Sequence, residues 1–188
     1  MNGVGESSNG RICQLPQSVI HHILMLLPIK DAARTAIMST NWRGHWRSVP
    51  QLVFCNGFAQ ISGPGMLNKL ILSIYQSLLV HDGPVTKFVL AIPGLTPCDG
   101  IDHIIVHLSG RGIQELTLEF SVGFVSYKLP SSLFTAPLLN RLELQNCLLM
   151  APTWFVGFSK LTYLFLLEVG LPSDFFESFL PKCPMIKT

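Results

Sequence analysis

The sequence predicts a mixed fold, α+β to α/β, in which a short helical module precedes a short, incomplete solenoid of strand-and-return units. Three observations predict it. Residues 12–47 carry two Leu-Pro punctuations, three short helical patterns and two tryptophans, on too little chain to bury a core of their own. Four later segments repeat a single apolar pattern. The composition is 48% hydrophobic and only 13% charged, against ~25% in ordinary soluble domains, so the chain collapses rather than staying disordered. Only the polar, small-residue start at 1–11 reads as a flexible tail.

Leu15-Pro16 opens the first helix, because proline suits a first turn where its missing N–H costs nothing. Val19, Ile20, Ile23, Leu24 and Leu27 then follow the i, i+3, i+4, i+7 spacing of an apolar face, and Pro28 ends it. Asp31 sits at the N-terminus of a second helix striped by Ala33, Ala36 and Ile37. Ser39 or Thr40 caps a third helix carrying Trp42 and Trp46, with Arg43 and Arg47 beside them. Pro50 closes the module, and residues 51–84 form a connecting strand (Leu52–Phe54) and helix (Met66–Val80).

From residue 85 the repeat takes over. Val85-Thr-Lys-Phe88-Val-Leu90, Ile113-Gln-Glu-Leu116-Thr-Leu118, Leu139-Asn-Arg-Leu142-Glu-Leu144 and Leu161-Thr-Tyr-Leu164-Phe-Leu166 each place apolar residues at positions 1, 4 and 6. Leu139 through Cys147 completes the L-x-x-L-x-L-x-x-N/C template of a leucine-rich repeat. Return segments are expected at Asp99–Leu108, Pro130–Phe134, Pro152–Phe155 and Ser173–Leu180, with Asp174 and Glu177 satisfying free N–H groups of the last. Ile186 opens a further unit whose strand is missing, so residues 85–188 read as three to four units of a truncated array that lacks a polar cap.

The charge is uneven. Residues 11–47 hold five cations against Asp31, a balance of +4, whereas eight basic and nine acidic residues from Val49 onward give −1. The cations alternate with apolar residues instead of forming a run, which favours an acidic protein partner over nucleic acid. No apolar run approaches the ~20 residues of a membrane span, and no secretory signal opens the chain, which places it in cytosol or nucleus. Five unpaired cysteines then read as reduced thiols.

No catalytic constellation emerges. His103 and His107 are four apart, but Ile104 stands where the zinc-protease pattern needs Glu, and no third ligand is evident; no metal or cofactor is expected. The glycine pairs Gly63-Pro-Gly65 and Gly110-Arg-Gly112 read as turns. Trp42 and Trp46 read as core or partner-contact residues rather than base-stacking platforms.

The first module resembles an F-box, in particular that of plant F-box proteins with leucine-rich repeats of the FBD-associated class. The resemblance rests on Leu15-Pro16, Val19-Ile20, Ile23-Leu24, Leu27-Pro28, Lys30-Asp31-Ala32, Arg34-Thr35, Ser39, Trp42-Arg43 and Trp46, followed by Val49-Pro50 and Leu52–Phe54. Leu129-Pro-Ser-Ser-Leu-Phe134 and Lys182-Cys-Pro184 resemble that family's repeats. Gln17 departs from the acidic residue that commonly follows Leu-Pro, and Thr40-Asn41 replaces a common Lys-Arg pair, which implies weaker docking.

The resemblance implies a three-helix F-box at 12–50, an RNI-like solenoid at 85–188 and a non-enzymatic role. It implies a substrate-recognition subunit of an SCF-type cullin–RING ubiquitin ligase, docked to a Skp-type adaptor and through it to cullin and RING subunits. Leu15, Pro16, Val19, Ile20, Ile23, Leu24, Leu27, Pro28, Ser39 and Trp42 would contact the adaptor. An unidentified protein substrate would meet the solvent-facing strand residues Thr117, Glu119, Glu143, Gln145 and Phe165. The alternative is a non-degradative interaction protein, or decoy, whose short array holds no substrate.

Overall fold

The computed structural model describes residues 15–27, 45, 47–55, 65–123 and 127–186. Helix α1 spans Gln17–Leu26, one residue later than a proline in the first turn would give. Pro16 is its N-cap, and the Pro16 carbonyl accepts from the N–H groups of Val19 and Ile20 at 2.9 and 3.1 Å. Leu27 is extended (φ −86°, ψ 146°), the conformation that a following proline imposes on its neighbour, so the helix stops there. The second and third helices expected at 29–47 lie outside the described residues.

Five strands follow: β1 Gln51–Phe54, β2 Lys87–Leu90, β3 Glu115–Glu119, β4 Arg141–Gln145 and β5 Tyr163–Leu167. They form a single sheet in chain order, every neighbouring pair parallel. Parallel neighbours require a return across one face. The returns are α2 (Met66–Leu79) before β2, α3 (Asp99–Ser109) before β3, a 3-10 turn at Ser131–Thr135 before β4, and irregular chain before β5. After β5 come α4 (Phe175–Ser178) and a second 3-10 turn, Leu180–Lys182.

The strand at 52–54, read as part of a connector, is the first strand of this sheet, paired Leu52 to Phe88 and Phe54 to Leu90. Its sequence carries the signal: Val49-Pro-Gln-Leu52-Val-Phe54 has apolar residues at positions 1, 4 and 6 like the other four units. All five first-position residues, Val49, Val85, Ile113, Leu139 and Leu161, are buried.

Strand positions 4 and 6 point toward the returns and make the core, against Ile71, Ile74 and Leu78 of α2 and Ile101, Ile104 and Leu108 of α3. The last return is too short for such a helix, and phenylalanines fill the space. Phe155 lies 5.0 Å from Phe134 and 4.9 Å from Phe158, and Phe175 stacks on Phe179 at 4.6 Å. Close packing here requires a glycine: Gly157 has φ +129°, and a Cβ would lie 1.9 Å from the Lys182 carbonyl oxygen. Asp174 is the N-cap of α4, but its side chain caps nothing; its main-chain carbonyl instead accepts from Glu177 and Ser178.

Cys147 ends the β4 unit fully buried, as the repeat template requires, and burial pushes its thiol up to about 12. That thiol is a packing group, not a nucleophile. Beside it Asn146, at φ 56°, donates its Nδ2–H to the Phe120 carbonyl at 2.8 Å and ties two units together. Glu168 holds the corresponding place 22 residues later, also left-handed at φ 52°, but it is exposed.

The α1 module is joined to the array through the turn before β2. Asp82 takes Arg47 in an ion pair at 3.2 Å, the Arg47 Nε–H donates to the Val80 carbonyl at 2.9 Å, and buried His81 places Nε2 3.0 Å from the Val49 carbonyl.

Candidate functional site

Two surfaces stand apart from the core. The first is α1. Ile20 and Leu24 face inward and pack with Val49 in a small core of their own, with Leu15, Ile23, Met25 and Leu27 half-buried around them. The Ile20 and Leu24 side chains are buried there and hold the helix in place. The outward side carries Pro16, Val19 (41% exposed), half-buried Ile23 and Leu26 (72% exposed). Val19, Ile23 and Leu26 are spaced i, i+4, i+7, a second apolar stripe on the same helix. Leu26 was not among the positions read from the sequence, although the same spacing includes it. Pro28, Ser39 and Trp42 lie outside the described residues.

His21 lies on the side of α1 away from this stripe. Its Nε2 lies 2.9 Å from the Ser48 hydroxyl and its ring is edge-on to His45. Burial first, then the neighbouring charges of His45 and His81, hold it below the ordinary histidine range.

The second surface is the sheet face opposite the returns. Side chains alternate along each strand, so the residues between the core positions form rows across the sheet. One row is Lys87, Glu115, Arg141 and Tyr163, the next Val89, Thr117, Glu143 and Phe165, and the last Glu119, Gln145 and Leu167. Charges on the first two rows are paired. Lys87 meets Glu115 at 2.9 Å, and the Arg141 guanidinium donates to Glu143 (Nε to Oε1, 2.8 Å) while lying 3.7 Å over the Tyr163 ring.

Glu119, Glu143, Gln145 and Phe165 all reach solvent on this face, as read from the sequence. Thr117 does not. It is 8% exposed because the longer Glu143 side chain lies over it and accepts its hydroxyl hydrogen bond at 3.2 Å. Tyr163 and Leu167 are exposed here too and belong to the surface. Two shallow depressions lie along it, of about 660 and 280 Å³, and Glu119 borders both.

The histidines of α3 are on neither surface. Tyr75 stacks on His103 at 5.5 Å and meets His107 edge-on at 6.5 Å, and burial lowers His107. Among the described residues no group of three or more His, Cys, Asp or Glu side chains is placed to hold a metal ion. No described helix is long and apolar enough to cross a membrane.

Comparison with known proteins bears on both surfaces. The family pattern described as the F-box domain matches residues 12–54, and the pattern described as the LRR repeats of FBD-associated F-box protein At5g56370 matches residues 101–188. The chain is 35% identical to the F-box/FBD/LRR-repeat protein At1g13570 of Arabidopsis thaliana over 98% of its own length and 44% of the relative's. It is 28% identical to F-box/LRR-repeat protein 25 of the same plant over 96% of itself and 67% of that protein. With F-box/FBD/LRR-repeat protein At3g26920, also of Arabidopsis thaliana, it shares 29% identity over 92% of itself and 39% of the relative. The chain thus spans less than half the length of two of these three relatives.

Proposed function

We propose, for a chain that belongs to the F-box/LRR-repeat proteins of the FBD-associated class, that it is the substrate-recognition subunit of an SCF-type cullin–RING ubiquitin ligase. Residues 12–50 form the three-helix F-box that docks to a Skp-type adaptor, which in turn recruits cullin and RING subunits. Residues 85–188, together with β1, form an RNI-like array that holds a target protein, in cytosol or nucleus. The chain itself performs no chemistry; it raises the target's effective concentration beside the ligase.

The observation that carries this reading is the two-sided apolar character of α1. One side of the helix is spent on Ile20, Leu24 and Val49, while Pro16, Val19 and Leu26 stay exposed and half-buried Ile23 borders both. An apolar stripe on a helix already anchored from behind is suited to a partner's groove. The +4 balance of residues 11–47 suits an acidic adaptor. In this reading Pro16, Val19, Ile23 and Leu26 make the adaptor contact, Leu15 and Leu27 flank it, and Ile20 and Leu24 support it from the buried side. Pro28, Ser39 and Trp42 extend it as the family resemblance implies.

Co-purification with a Skp-type adaptor tests the reading, with wild type beside a Leu15→Ala/Pro16→Ala variant. Stoichiometric capture by wild type and its loss in the variant is the expected result. A folded wild-type chain that captures no adaptor would contradict the proposal.

A further inference from the structure

Resting on the substrate-holding role just proposed, we infer that the row Glu119–Gln145–Leu167 receives a polyproline-II segment of the target protein. That segment places a lysine or arginine at Glu119 and an apolar side chain, three residues away, at Leu167.

The charge comes first. Lys87 and Arg141 are both occupied by carboxylates of their own sheet. Exposed Glu119 has no ion-pair partner among the described residues, so the face holds two cations against three carboxylates, and the excess negative charge sits at one place. It borders two depressions, one bounded by Pro93 and Val122 and the other by Val89 and Lys87, which leaves space on both sides for the stem of a long side chain. A basic side chain entering there completes the charge pairing of the face.

The rest of the row sets the reach. Glu119 pairs in register with Gln145 and Gln145 with Leu167. Parallel neighbours are about 4.8 Å apart, so Glu119 and Leu167 are separated by about 10 Å. In a fully extended peptide, residues on one side recur at about 7 and 13 Å, and neither distance matches. In polyproline II, residues i and i+3 share one side and lie about 9.3 Å apart, which does. That helix makes no internal hydrogen bonds. Gln145, whose side-chain amide has no partner among the described residues, offers one donor group and one acceptor midway between the two anchors. Leu167 is exposed beside Phe165 and Tyr163, so the apolar side chain meets a patch larger than a single leucine.

The test is a positional-scanning library of terminally blocked octapeptides read against the whole chain by fluorescence anisotropy. Wild type should enrich Lys or Arg and a large apolar residue three positions apart, in either chain direction. Glu119→Lys should reverse the basic preference toward Asp and Glu by about tenfold at that position. Leu167→Ser should remove the apolar preference and leave the charge preference standing. Enrichment of basic residues that survives Glu119→Lys, enrichment at a spacing other than three, or no enrichment would each overturn the inference.

Both substitutions are at exposed positions, so thermal melts should match wild type. The adaptor reading is scored separately, by capture. A chain that captures adaptor but selects no peptide refutes this inference alone, and one that selects peptide but captures no adaptor refutes the ligase reading while the row's peptide specificity stands.

Discussion

Helix α1 and the open face of the sheet are both exposed, yet they are built in opposite ways. The outward stripe of α1 is apolar, with no charged side chain among Pro16, Val19, Ile23 and Leu26. The sheet face is a grid of charges, most of them paired, with a carboxylate at Glu119 that has no ion-pair partner among the described residues and an aromatic margin at Tyr163 and Phe165. An apolar stripe supplies affinity through area removed from water and discriminates little between partners of similar shape. A grid whose internal pairs are already made adds little net affinity from those pairs, but it rejects a wrong charge strongly. Under the proposed function, the first design would meet the shared adaptor and the second the target.

The comparison breaks most severely if the support behind α1 is removed. Leu24→Ala opens a cavity between α1 and Val49 and should cost about 2–5 kcal/mol locally. Hydrogen exchange across Gln17–Leu26 should rise sharply while exchange in β3 and β4 is unchanged. Uniform destabilisation of both regions would mean that the two surfaces share one cooperative core.

Charging the outward stripe is the next largest change. Val19→Asp/Leu26→Asp should weaken adaptor binding by about a hundredfold or more, because two carboxylates would have to be buried in an apolar contact. Thermal stability should hold nearly constant, since both side chains are exposed.

A smaller effect sharpens the contrast within the array. Glu168 occupies the left-handed position that Asn146 fills in the preceding unit, without the inward hydrogen bond. Glu168→Asn should raise stability by up to about 1 kcal/mol in urea unfolding, because asparagine tolerates that conformation better.

The smallest effect is pH. His21 and His107 both titrate below the ordinary histidine value in the folded chain. The folded state therefore binds fewer protons than the unfolded one, and stability rises with pH wherever that holds. Their contribution is complete above about pH 6.5 and declines as the pH falls through the unfolded histidine range. His21→Gln should flatten the acid side of the stability profile monitored through α1.

How legible each region was follows from how local its determinants are. The strands β2 to β5 could be read because positions 1, 4 and 6 recur within six residues, and the strand-to-strand register of Phe88, Leu116, Leu142 and Leu164 repeats that alignment. β1 carried the same pattern but lay 36 residues before its neighbour at Val85, outside the expected repeat period, so it read as a connector. On α1 the periodicity revealed apolar residues without saying which would face Val49 and which solvent, since that depends on where β1 lies. Thr117 was misread for a related reason. Alternation places it on the open face, but only the length of Glu143 on the neighbouring strand covers it.

The claim that the two surfaces work independently is tested most directly by titrating a Skp-type adaptor into three proteins: wild type, Val19→Asp/Leu26→Asp, and Glu119→Lys/Leu167→Ser. Equal affinity for wild type and the sheet-face variant, with binding lost only in the α1 variant, is the predicted result. Adaptor affinity that falls in the sheet-face variant while its fold is intact would contradict it.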